Sequence, residues 1–228
     1  MKDYQNVIFD LDGTLVDPVE GITNGVKCAL CHFGIVIPPV EELYKFIGPP
    51  FRESFSQYYG MNSEDTETAI AKYREFYKDI GVKQNVPYVG MVDMLKALKG
   101  AGKKIMLATS KPEPFAKQIL AYEGITELFD FAAGASLDSS RDKKSDVLRH
   151  VLKETGIEAE SSIMIGDRKH DIIGAKEVGM DSVGVLYGYG SEEELKNAGA
   201  TFIVPDVMGI TRLLCAGIQE PCHCEEGL

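Results

Sequence analysis

The sequence predicts an α/β fold, a parallel sheet covered by helices on both faces and interrupted near its start by an all-helical insert. Three observations carry this. From Pro87 onward, short apolar runs alternate with segments of helical period, the mark of repeated strand–helix units joined by right-handed crossovers. The block from about Val16 to Gln84 reads as helices only, between the first strand and the next. The chain, 228 residues, is long enough for one core plus a small insert.

The elements follow in order. Val7-Ile8-Phe9 is a short apolar run closed by the turn signal Asp10-Leu11-Asp12-Gly13, a strand buried on both faces. Val19–Phe33 reads as a helix, stopped by the breakers Ile35-Val36-Ile37-Pro38-Pro39. Val40–Phe46 is a short helix ended by Gly48-Pro49-Pro50, and Phe51–Tyr59 is a third. Ser63 with Glu64 and Asp65 opens a fourth, where Ile70, Tyr73, Phe76, Tyr77 and Ile80 recur at helical spacing and read as the insert's own core. Pro87-Tyr88-Val89-Gly90 marks the return. Helices at Met91–Lys99, Glu113–Tyr122, Lys144–Glu154 and Asp171–Val178 then alternate with strands at Lys104–Thr109, Phe129–Gly134, Ser162–Gly166 and Ser182–Leu186. Ser191 and Glu194 form a capping box for the next helix, and a strand at Thr201–Val204 and a helix at Asp206–Leu214 close the fold.

A net charge of −11 argues against a nucleic-acid polymer or an anionic membrane as the main partner, because both are held by basic patches. A small anion is compatible with it, since a few local cations outweigh the global charge. No apolar run approaches the ~20 residues of a membrane span, and Met1-Lys2-Asp3 leads into a strand too short and acidic for a signal peptide, so a cytoplasmic location is expected. Five cysteines, an odd number, fit reduced thiols. Cys28 and Cys31 with Cys222-His223-Cys224 suggest a zinc site only weakly, because the spacing matches no compact ligand set.

The polar residues that carry chemistry stand where strands end, which is where ligands bind in such sheets. Side chains two apart on an extended backbone point the same way, so Asp10 and Asp12 project together while Leu11 turns into the core. Two carboxylates in one small volume need a cation or a shared proton, and a hard oxygen site of this kind suits Mg²⁺. Taken alone, the pair is equally a solvated Asp-Gly turn. An EF-hand is excluded, because Thr14 and Leu15 stand where further oxygen ligands would be needed. Thr109-Ser110-Lys111-Pro112 brings hydroxyls and a cation to the same edge, although Ser or Thr before Pro is also a routine helix cap. A lysine opening a helix, as Lys143 or Lys144 does, opposes the helix dipole and needs a reason such as a bound anion. Asp167 ends a strand and Asp171 lies one helical turn on; acids there are common caps as well.

Together these motifs are more specific than any one. Asp10-Leu11-Asp12-Gly13-Thr14-Leu15 after an N-terminal strand, then Thr109, Lys144 and Gly166-Asp167-Arg168-Lys169-His170-Asp171 in that order, resembles the phosphatases of the haloacid dehalogenase superfamily over nearly the whole chain. The likeness is to the phosphoglycolate phosphatase and 5'-nucleotidase-like branch, and Tyr187-Gly188-Tyr189-Gly190 resembles the nucleotidase-like members. It implies a Rossmann-like core over residues 1–15 and 88–228 and a mobile helical cap domain over 16–87.

The resemblance also implies roles. Asp10 is the nucleophile that forms an aspartyl-phosphate, and Asp12 is the general acid, then the base, whose backbone carbonyl also reaches the metal. Asp10, Asp12 and Asp167 would hold Mg²⁺ with Asp171 orienting from behind them. Thr109 would donate to a phosphoryl oxygen, with Ser110 and Lys111 as secondary substrate contacts, and Lys144, a better match than Lys143, would pair with nucleophile and phosphoryl charge. Arg52, in the loop Ile47-Gly48-Pro49-Pro50-Phe51-Arg52, either reads a second group on the substrate or is an exposed arginine. The implied partner is a small phosphorylated metabolite, phosphoglycolate or a nucleoside monophosphate before others, and oligomeric state is not legible. Haloacid dehalogenation and phosphonate cleavage are disfavoured, because those relatives lack a carboxylate at the position of Asp12. A sugar-phosphate mutase would carry a histidine where this chain has Ile22, and a non-catalytic regulatory module would have no use for a complete set.

Overall fold

The structure, a computed structural model, describes residues 2–138 and 140–215; Cys222, His223 and Cys224 lie outside the described residues. The main sheet is built around β1 (Asn6–Phe9), whose three apolar residues Val7, Ile8 and Phe9 are fully buried. It continues through β4 (Lys104–Pro112), β5 (Phe131–Ala135), β6 (Ser162–Gly166), β7 (Asp181–Val185) and β8 (Phe202–Val204). The spatial order is β5-β4-β1-β6-β7-β8 with every neighbouring pair parallel.

Alternation along the strands sorts the core into two layers. Val7, Phe9, Ile105, Leu107, Ile163 and Ile165 face one side, while Ile8, Met106, Ala108 and Met164 face the other. The second layer is closed by Val147, Leu148 and Val151 of α6 (Lys144–Thr155) and Ala175 of α7 (Lys169–Glu177). The first is closed in part by α4 (Met91–Gly100), α5 (Glu113–Tyr122) and α9 (Val207–Leu214). Burying both faces of each strand is what makes the strands read as continuous apolar runs.

The insert consists of α1 (Val19–His32), a 3₁₀ segment (Val40–Phe46), α2 (Phe51–Tyr59) and α3 (Ser63–Tyr77). An aromatic cluster holds it: Phe46 lies 5.0 Å from Phe55 and Phe51 lies 4.2 Å from Tyr73 between ring centroids. Gly25 of α1 lets Tyr73 approach, since a Cβ there would stand 2.6 Å from the tyrosine ring.

Four readings of the sequence need correction. Val16–Asp17 is not helical or irregular but β2, paired antiparallel with β3 (Val86–Pro87); the two passages between sheet and insert run side by side, so their backbone groups satisfy one another. The 40–46 helix is 3₁₀, as suits a short piece between prolines. Ile80 lies beyond the end of α3 and is 52% exposed rather than core. At α8 (Glu192–Ala198) the Ser191 hydroxyl accepts from the Glu194 backbone N–H at 3.1 Å, but the Glu194 side chain turns to Arg168 Nε and the Lys169 N–H at 2.9 and 2.8 Å.

Candidate active site

The carboxyl ends of β1, β4 and β6 converge with the start of α6, as a parallel sheet with this order requires. Asp10 follows β1 directly, and its backbone N–H still donates to Ile165 of β6 at 2.9 Å, so the residue is fixed by the sheet. Lys144, the first residue of α6, extends its ammonium to the centre of the site. It lies 2.8 Å from Asp10 Oδ1, 2.9 Å from Asp171 Oδ1, and donates to the Ala108 carbonyl at 2.8 Å. Lys143 is exposed. Burial alone would lower the Lys144 ammonium, but the charges of Asp10 and then Asp171 outweigh it and raise it.

Asp167 is fully buried beyond β6 and accepts from the Tyr189 N–H at 2.7 Å. Its cradle is made of glycines. Gly13 adopts φ +79°, open to few other residues, and a Cβ there would stand 2.2 Å from Asp167 Oδ2; one on Gly188 would stand 2.4 Å from Asp167 Cβ. Burial, then the neighbouring Asp171, holds the Asp167 carboxyl well above the usual carboxylate range. Burial pushes Asp171 up to about 6, against the pull of Lys144.

Asp10, Asp167 and Asp171 each offer an oxygen within 4.8 Å of the others, the group of this kind among the described residues that is wholly buried. Asp167 Oδ1 makes no hydrogen bond there. Hard carboxylate oxygens, crowded and left without donors, fit Mg²⁺. The Asp12 side chain turns to Lys111, 2.7 Å distant, so the atom of Asp12 that the resemblance assigns to a metal is still its backbone carbonyl, whereas Asp171, expected behind the ligands, brings a carboxylate oxygen into the group. Burial raises the Asp12 carboxyl and Lys111 opposes that rise. For Lys111, burial is outweighed by Asp12 and Tyr77, so the ammonium stays charged, 4.6 Å above the Tyr77 ring.

Thr109 is buried and its hydroxyl accepts from the Lys111 N–H at 3.2 Å rather than capping α5. The register of β4 against β5 shifts between Ala108 and Pro112, a bulge that turns Thr109, Ser110 and Lys111 toward the cavity they line with Asp10 and Asp12. Tyr73 and Tyr77, read as core, also form the wall of that cavity, with Phe46 and Phe51. Arg52 does not line it: its guanidinium pairs with Glu67 at 2.5 Å and Asp142 at 3.4 Å. Cys28 and Cys31 are free and exposed.

Arg168, unremarked in the sequence, reaches from the acidic motif to the insert. Its Nη1 donates to the Ile47 carbonyl at 2.6 Å and its Nε to Glu194. Tyr187 donates to the Thr14 carbonyl at 2.9 Å, and the Tyr189 hydroxyl donates to Asp17 beside the ribbon. The aromatic–glycine run was visible in the sequence, but nothing local told which of its side chains face the insert.

The haloacid dehalogenase-like hydrolase family model matches residues 7–185. A 5'-nucleotidase of Pseudomonas aeruginosa is 40% identical over 211 residues, 92% of this chain and 96% of that protein. A tyrosine-protein kinase PtkA of Mycobacterium tuberculosis is 40% identical over 199 residues, 87% of this chain and 68% of its own. Phosphoglycolate phosphatase 1 of P. aeruginosa is 31% identical over 92% of this chain and 79% of that protein. In three dimensions, a predicted phosphatase from Clostridium acetobutylicum superposes with a TM-score of 0.92 at 43% identity, covering 94% of this chain and all of the other. With its strand-end carboxylates gathered around Lys144 and these likenesses spanning most of its length, the chain belongs to the haloacid dehalogenase-like hydrolases and is a phosphatase among them.

Proposed function

We propose that this phosphatase hydrolyses a small-molecule phosphate monoester through an aspartyl-phosphate on Asp10, with Mg²⁺ as cofactor. The observation that carries the reading is the buried Lys144 ammonium, 2.8 Å from Asp10 and 2.9 Å from Asp171, in a cluster where the carboxylates of Asp10, Asp167 and Asp171 outnumber it and a divalent cation would complete the charge balance beside a phosphoryl group. Asp10, Asp167, Asp171 and the Asp12 carbonyl would hold the metal, which when bound would supply positive charge against the phosphoryl oxygens.

The chain's own residues then do the following. An Asp10 oxygen attacks phosphorus as the ester P–O bond breaks, and Asp12 gives its proton to the departing alkoxide. Asp12 next takes a proton from water as that water attacks the aspartyl-phosphate, which releases phosphate and restores Asp10. Thr109 and Lys144 hold the phosphoryl oxygens throughout, since positioning and charge neutralisation are most of what phosphoryl transfer asks of a protein. Residues 16–87 act as a cap domain that closes over the cavity and excludes water.

The substrate class follows the relatives, phosphoglycolate or a nucleoside monophosphate. The test is release of inorganic phosphate from a panel of both, with pyrophosphate and sugar phosphates, in Mg²⁺ and in chelator. Release that requires Mg²⁺ supports the reading. Isomerised sugar phosphate without free phosphate would favour a mutase, and no turnover by folded, metal-supplied protein would favour a non-catalytic module.

A further inference from the structure

We infer that Lys111 is the positioning residue of the general acid: it holds Oδ2 of Asp12, so that Oδ1 is the oxygen that delivers the proton to the leaving group. The inference rests on the phosphatase reading above and adds a residue to its mechanism, where the resemblance made Lys111 a secondary substrate contact.

Asp12 combines a fixed backbone with a side chain that has a single tether. The Gly13 N–H donates to the Val16 carbonyl at 2.9 Å and the Val16 N–H to the Leu11 carbonyl at 3.1 Å, which closes the chain around Asp12. Among the described residues its carboxyl receives one hydrogen bond, from Lys111 Nζ to Oδ2 at 2.7 Å. Oδ1 is buried and makes none. A planar carboxyl held at one oxygen loses most of its freedom to turn, which places the other oxygen too. Asp12 lines the same cavity as the proposed nucleophile Asp10, where a proton donor has to be aimed.

Lys111 is itself held for this task. It sits in the β4 bulge with its backbone N–H on Thr109 Oγ1 at 3.2 Å, and its ammonium lies 4.6 Å from the centre of the Tyr77 ring, delivered by α3 of the insert. Tyr77 fits there because residue 81 is glycine; a Cβ at that position would stand 2.6 Å from the ring. The Lys111 and Asp12 side chains are 4% and 12% exposed. Stability is a poor reason for such a pair, because desolvation of both groups offsets their attraction. Orientation is a better one.

The pairing serves both halves of the reaction. A protonated carboxyl keeps Oδ2 as an acceptor for the ammonium while the Oδ1–H donates. That proton passes to the ester oxygen as the P–O bond breaks and its electron pair stays on that oxygen. Oδ1 then takes a proton from the water that attacks the aspartyl-phosphate, and Lys111 keeps its own protons throughout.

Ethyl phosphate and acetyl phosphate test this, since they have nearly the same shape but only the ethoxide needs a proton to leave; acetate departs as a stable anion. Neither carries charge outside the phosphoryl group, so a lysine that bound a charged leaving group would not separate them. With Mg²⁺, kcat/KM reports events up to departure of the leaving group. In Lys111→Met, or in Lys111→Gln should the first not fold, kcat/KM for ethyl phosphate should fall about a hundredfold, the scale of general acid catalysis, and that for acetyl phosphate about threefold or less. Both substrates are read on one sample, so loss of folded protein cancels from their ratio. An equal fall for the two, or an unchanged rate with ethyl phosphate, would overturn the inference and leave Lys111 a structural residue. Release of phosphate by the wild type from neither of these nor any other ester would overturn the phosphatase reading beneath it, a distinct result.

Discussion

At the scale of single residues, the site is a balance of buried charge. Lys144 is 2% exposed at its side chain and shares its one positive charge between Asp10 and Asp171, which are buried with it. Asp10→Asn should lower phosphate release by at least about a thousandfold, far more than the loss of one preorganised donor. Near-normal turnover by that variant would remove Asp10 as nucleophile. Thr109→Ala should lower kcat about a hundredfold, or ~3 kcal/mol in the barrier, with little change in thermal stability. Lys144→Met leaves two buried carboxylates without their cation and should cost about 3–5 kcal/mol of stability in chelator, read by urea denaturation. The shared position of these residues was legible in the sequence because strand ends put them on one edge, and their proposed roles come from the resemblance; the turn of the Asp12 side chain to Lys111 was not legible, because residues far apart in the chain meet there only after folding.

At the scale of elements, the insert is joined to the sheet by one short ribbon and by side chains that cross to it. Arg168 is the strongest of these by geometry, bonded both to Ile47 of the insert and to Glu194 of α8. Arg168→Ala should lower kcat/KM about tenfold, the worth of one or two hydrogen bonds, and should speed amide exchange in residues 47–50. Unchanged exchange there would show that the contact does not hold the loop. Within the insert, Gly25→Ala drives a methyl to 2.6 Å from the Tyr73 ring and should cost about 1–3 kcal/mol in a thermal melt. Helix boundaries in this region were readable from prolines, glycines and apolar spacing. The ribbon was not, since two residues on each side carry too little pattern to be told from loop.

At the scale of the whole molecule, the buried carboxylates at the site make stability depend on pH and, with the proposed Mg²⁺, should make it depend on metal as well. Asp171 is raised to about 6 and Asp167 is raised well above its ordinary value. Groups with a raised folded-state pKa contribute stability that is full below the unfolded value near 4 and is lost as pH rises through the folded value. In chelator, their contribution therefore declines from about pH 4 through pH 6 and beyond. Mg²⁺ competes with those protons, so its stabilising effect should be larger at pH 7.5 than at pH 5. Thermal melts at both pH values, with and without Mg²⁺, check this; an effect larger at pH 5 would contradict the assignment of these carboxylates to the metal.

The sequence by itself determined the α/β class, the position of the helical insert and the residues that stand at the strand ends. Each follows from local physics: apolar periodicity, helix stops, and the rule that residues two apart on a strand share a direction. Folding brought Lys144, already the better match of the adjacent pair, to the centre, and only in three dimensions does Arg52 pair with Glu67 and Asp142 and Arg168 reach the insert. It also decided the size of the cavity and made its wall from Tyr73 and Tyr77, whose spacing read only as core. The reason is physical: periodicity encodes which face of an element is buried, whereas the partner across a cavity is set by how two independently folded faces come together.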